Sequence, residues 1–196
     1  MFKKETKAQQ MIESMCCLIG MHYTEKTYNN IVKILECYRS ILFGKNIFNY
    51  DLVDKMTLED VIPAIYKGFI SEELISDELT YKIIIHIIND EQLSNMVNNA
   101  MEKIRNFDKI GEDYYKIIKG LYCTEAFPIA KNIIIDLNID KSAYAYRKKE
   151  AIMLAGVVFW QEFLRFWNNG KSEMKEIEAK YGRTGMLSEK YAFHTE

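Results

Sequence analysis

Apolar residues recur every three to four positions along most of this 196-residue chain, and only two prolines and nine glycines interrupt them. That period is the helical one, so the expected fold class is all-α. Residues 5–22 predict a first helix with Met11, Met15, Leu18 and Ile19 along one side. Thr24 or Thr27 opens a second, which runs to about Phe43 with a stripe of Ile31, Ile34, Leu35, Tyr38 and Leu42. Residues 44–50 read as a loop with aromatic anchors. A short helix follows, with Asp60 as N-cap and Pro63 in its first turn, where a missing N–H matters least. Gly68 closes it. Ser71 begins the next helix, which runs to Ile88 and is apolar on nearly every side near its end, the signature of deep burial. Asn89-Asp90 breaks the pattern, and residues 91–107 predict a helix with Leu93, Val97, Met101 and Ile104 inward.

Residues 107–111 form the best candidate boundary. They divide the chain into an N-terminal helical domain (1–107), a second domain (108–170), and a short helix with a polar tail (171–196). Gly111 leads into a helix carrying Tyr114, Tyr115, Ile117, Ile118 and Leu121. Residues 127–137, FPIAKNIIIDL, predict another, with Pro128 near its start. Asn138 is the expected stop, because Asn tolerates a left-handed backbone better than most residues. Asp140 then serves as N-cap of a further helix. On that helix Lys141, Ser142, Ala145, Tyr146 and Lys149 share one face, whereas Tyr144, Ala151 and Ala155 point the opposite way. Helix, short turn and basic helix make a helix-turn-helix pattern. Its last helix is expected to run on through AIMLAGVVFWQEFLRFWNN until Gly170.

The segment of about residues 111–160 resembles the helix-turn-helix of sigma-factor region four. More narrowly, it resembles the RinA/ArpU-like late-gene activators of low-GC Gram-positive bacteria and their phages. The matching positions are Leu137, Ile139, Ser142, Tyr144, Arg147, Lys149, Glu150, Ala151 and Ile152, with Trp160 at the apolar end. Asp140 stands where those proteins usually carry Ser, Ala143 and Ala145 replace residues that are often Thr and Tyr, and Ile134 replaces a small Ala. The resemblance covers about a quarter of the chain. It implies transcription control in a phage or other mobile element.

Charge narrows the picture. The formal net charge is only −2, so a basic protein that coats nucleic acid over its whole surface is excluded. A local patch remains, since distribution rather than total charge steers a partner. Between residues 141 and 167 stand Lys141, Arg147, Lys148, Lys149 and Arg165 against Glu150 and Glu162. Cys16, Cys17, Cys37 and Cys123 form no C-x-x-C pair, and His22, His86 and His194 sit at no zinc-like spacing from them. Free thiols fit a reducing, cytoplasmic setting. No signal peptide and no membrane-spanning run is apparent. Phosphate-binding glycine loops, H-E-x-x-H and G-x-S-x-G are all missing. The acidic pairs Glu72-Glu73 and Asp77-Glu78 suit helix starts. His86, within IIIHII, reads as a core histidine. Neither an enzyme nor a bound cofactor or metal is expected.

The expected function is therefore sequence-specific binding of double-stranded DNA, with residues 141–150 in the major groove. Lys141, Ser142, Tyr146 and Lys149 face the bases, and Arg147 and Lys148 flank them to reach phosphates. Two alternatives stand beside this one: a divergent sigma-like factor that binds RNA polymerase, and a helical interaction or inhibitor protein that binds no DNA. Trp160, Phe163, Leu164 and Trp167 give residues 151–167 a wide apolar surface. It either packs on the N-terminal helices or forms a homodimer interface.

Overall fold

The computed structural model describes residues 6–43, 75–89, 91–125 and 129–181; the side chains of 86, 88, 89, 92, 93 and 166–181 lie outside the description. Among these residues the secondary structure is α-helix and one 3-10 turn, with no strand. The elements are α1 (Lys7–Leu18), α2 (Glu25–Leu42), α3 (Asp77–Asn89), α4 (Glu91–Arg105), α5 (Gly111–Tyr122), α6 (Ala130–Asp136) and α7 (Lys141–Tyr181), with the 3-10 turn (Asp108–Ile110) ahead of α5. The chain divides into two compact units, residues 1–163 and 164–196. The second is helical as far as Tyr181.

Side-chain caps set the helix starts. Thr6 accepts a hydrogen bond from Gln9 N (2.9 Å), and Thr24 accepts one from Thr27 N (3.2 Å), so Thr24 rather than Thr27 opens α2. Each satisfies a backbone donor that the first turn leaves unpaired. Residues 75 and 76 are not helical, and Leu79 N donates to Ser76 Oγ (3.2 Å), so α3 starts at Asp77 and not at Ser71. The expected loop over 44–50 and the helix between Asp60 and Gly68 lie outside the described residues, as do the side chains of His86 and Leu93.

The first helix is shorter than its periodicity predicts, and its inward face is different. Ile12 and Cys16, one turn apart, are fully buried, whereas Leu18 is 85% exposed. The chain leaves the helix at Ile19, and Gly20 takes φ +70°, a conformation suited to glycine. Burial by its neighbours pushes the Cys16 thiol up to about 12, so it stays protonated, while Cys17 beside it is exposed. In α2, Ile31, Ile34 and Leu35 are buried as the stripe predicts, but Leu42 is exposed.

Within residues 1–163, α2 packs on α3 and α5, α4 on α3 and α5, and α6 on α5. The buried stretch of α7 fills their core. All eight residues 151–158 are buried, with Trp160 and Phe163 continuing the run and stacking at 5.6 Å. A helix apolar on every side is stable only when enclosed, which is the packing reading of this stretch. Gly156 permits one of the close approaches: a Cβ there would overlap the side chain of Ile31. The expected boundary at 107–111 falls inside this unit, where Gly111 sits tight against the carbonyls that end α4. Arg39 of α2 donates to Thr124 O (3.2 Å) after α5, and Lys103 of α4 pairs with buried Glu162 of α7. Gly170 does not end α7. The residues after it, KSEMKEIEAK, are mostly good helix formers that outweigh one glycine, which costs about 1 kcal/mol relative to Ala.

An apolar cavity of about 30 Å³ lies among Ile34, Ile84, Val97, Met101, Ile118 and Phe163.

Candidate nucleic-acid interface

The α6–turn–α7 segment is built from short-range rules. The last carbonyls of α6 accept from the turn: Leu137 N reaches Ile133 O (3.0 Å), Asn138 N reaches Ile135 O (3.0 Å) and Ile139 N reaches Ile134 O (3.3 Å). Asn138 takes φ +51°, the left-handed setting its side chain tolerates. Asp140 then caps α7, its Oδ1 accepting from Ala143 N at 2.8 Å. A carboxylate at that end also suits the helix dipole. The helix before the turn is shorter than the expected 127–137: α6 starts at Ala130, after Ile129 in an extended conformation.

The first three turns of α7 divide cleanly. Lys141, Ser142, Ala145, Tyr146 and Lys149 are all exposed. Tyr146 shows 41% of its surface, while Tyr144, pointing the other way, shows 8%. Lys149 Nζ lies 5.6 Å from the centre of the Tyr23 ring, so the loop between α1 and α2 borders this face with an aromatic side chain. Lys148 is half-buried at the side. Arg147 is half-buried as well and forms an ion pair with Asp113 at the start of α5.

Behind the face lies a buried polar junction. Glu150 is 4% exposed and accepts hydrogen bonds from two hydroxyls, those of Tyr114 (2.7 Å) and Thr6. Thr6 is also the N-cap of α1, so one side chain starts that helix and ties it to α7. Buried carboxylates persist where hydrogen bonds replace water. Burial, and then its bond to Glu150, hold the Tyr114 phenol far above its ordinary range; it remains a donor at any physiological pH. Tyr23 is pushed up by burial and then by the nearby Glu150 charge.

Sequence reasoning missed Thr6, Tyr23, Asp113 and Tyr114 as parts of this region. The one usable signal was Glu150 itself, an acid at the point where α7 turns wholly apolar. Ile129, just before α6, is 56% exposed, and Ile135 within α6 is 62% exposed. Among the described residues no group of three or more His, Cys, Asp and Glu is placed to hold a metal ion, and no helix is long and apolar enough to cross a membrane. No protein-family model, curated protein or solved structure matches the chain.

Proposed function

We propose that the protein is a sequence-specific DNA-binding regulator that places the first turns of α7 in the major groove. One observation carries this reading. A capped helix after a tight turn presents Lys141, Ser142, Ala145, Tyr146 and Lys149 to solvent, while residues 151–158 anchor the same helix in the core. The groove admits a helix whose front is small or polar, and lysine, tyrosine and serine side chains supply hydrogen bonds to base edges. Lys148, at the side, is placed for a phosphate, a contact that positions without specifying sequence. Transcription control follows from the sigma-region-four resemblance, and RNA polymerase is the partner that resemblance adds.

The test is fluorescence-anisotropy binding to pooled duplexes over a salt series, with wild type and a folded Lys141→Ala/Lys149→Ala variant. The reading expects log affinity to fall linearly with log salt. Removing the two base-facing lysines should weaken binding, and a further Lys148→Ala, which removes the phosphate contact, should flatten that slope by about 1. Equal binding by the variant would overturn it.

The exposed Ile129 and Ile135 favour one second reading, an interaction protein that docks through α6. Such a protein would bind no duplex, its apolar interface would show little salt dependence, and Ile135→Asp would abolish it.

A further inference from the structure

We infer that Arg147 does not contact DNA but is a positioning residue, gripped with Glu150 by Asp113 and Tyr114 of α5 to fix how α7 presents its basic face. This inference rests on the DNA-binding reading. Two neighbouring residues in the first turn of α5 hold two residues of α7 three positions apart: Asp113 takes the Arg147 guanidinium, and Tyr114 donates to the Glu150 carboxylate. Positions three apart on a helix are neighbours along one side, so the four side chains form a two-rung clamp. Thr6 bonds to Glu150 as well and adds a third helix.

Helix geometry supplies the second argument. Residues two apart on a helix differ by about 200° in direction, so Arg147 leaves α7 on the side away from Lys149. The exposed face of Lys141, Ser142, Ala145, Tyr146 and Lys149 therefore looks one way while Arg147 and Glu150 look back to α5. To reach a phosphate, Arg147 would have to swing round the helix and strand a half-buried Asp113 carboxylate, a group that is costly to leave unpaired. The clamp fixes rotation of α7 about its own axis. On a 10–12 Å-wide helix, that rotation decides which side chains meet the bases.

The discriminating measurement is the salt slope of duplex binding for wild type, Lys148→Ala, Arg147→Gln, Asp113→Asn and the charge-swapped Asp113→Arg/Arg147→Asp. The duplex is the tightest binder from the pooled screen, and folding of each variant is checked by thermal melting. Lys148→Ala, the phosphate-contact control, should lower the slope by about 1. Arg147→Gln and Asp113→Asn should each weaken binding roughly tenfold at every salt concentration, as expected for partners in one network, and leave the slope unchanged. The charge swap rebuilds the pair and should return affinity to within about threefold of wild type, although it places a negative charge at 147.

A slope lowered by about 1 in Arg147→Gln, together with tighter binding by Asp113→Asn, would overturn the inference: Arg147 would then be a phosphate ligand restrained by Asp113. A charge swap that binds worse than Arg147→Gln would overturn it too, and decides the matter if the single variants melt early. Wild-type protein that binds no duplex overturns the DNA reading itself, an outcome distinct from both.

Discussion

Residues 141–149 and 151–163 belong to one uninterrupted helix, yet they differ in almost everything except backbone conformation. The front stretch keeps five of its nine side chains exposed and is stabilised locally, by the Asp140 cap and by the clamp to α5. The back stretch is enclosed by the chain's own helices and is stabilised by apolar burial and close packing. Glu150 stands at the join, a carboxylate already inside but still supplied with polar partners. The contrast teaches that secondary structure and solvent environment are separate decisions. A single helix can be core at one end and solvent-exposed at the other when a polar junction fixes the changeover.

The contrast can be broken most forcefully from the buried end. Leu154 is fully buried, and Leu154→Ala should destabilise the fold by about 2–5 kcal/mol, read from urea unfolding. A loss below about 1 kcal/mol would mean that this stretch does not form the core. At the join, Tyr114→Phe removes one of two hydroxyl donors from Glu150 and should cost about 1–3 kcal/mol, the range for a buried acceptor left short of a partner. Thr6 alone would satisfy the carboxylate if no loss were measured. At the exposed end the smallest change is expected: Asp140→Ala should cost about 1 kcal/mol, with Asp140→Asn close to wild type. Equal losses from Ala and Asn would show that the charge of Asp140, not its capping bond, is what matters there.

Much of this arrangement is legible in the sequence because it depends on near neighbours. The all-helical class follows from spacing alone. Asn138 in the left-handed region, Asp140 as a cap, the exposed face from Lys141 to Lys149 and buried Tyr144 all follow from residues within two turns of one another. The clamp does not. Asp113 lies 34 residues from Arg147 and Thr6 lies 144 from Glu150, and nothing in a one-dimensional pattern pairs them. Helical spacing places Arg147 beside the exposed face, and its ion pair with Asp113 is the contact that spacing does not reveal. Tertiary packing also overrode local signals elsewhere. Leu18 matches the apolar period of α1 but is exposed, because the helix ends there and Ile12 and Cys16 make the contact. Gly170 looks like a stop, yet a lone glycine is too weak to end a helix flanked by good formers.

The close passage of Gly156 across Ile31 constrains how the chain can change. A side chain at 156 requires that of Ile31 to move aside, and alanine at 156 paired with a smaller residue at 31 recovers the lost room. In a library randomised at both sites, survivors should lie along a line of constant combined volume. Two residues 125 positions apart would thus vary as one.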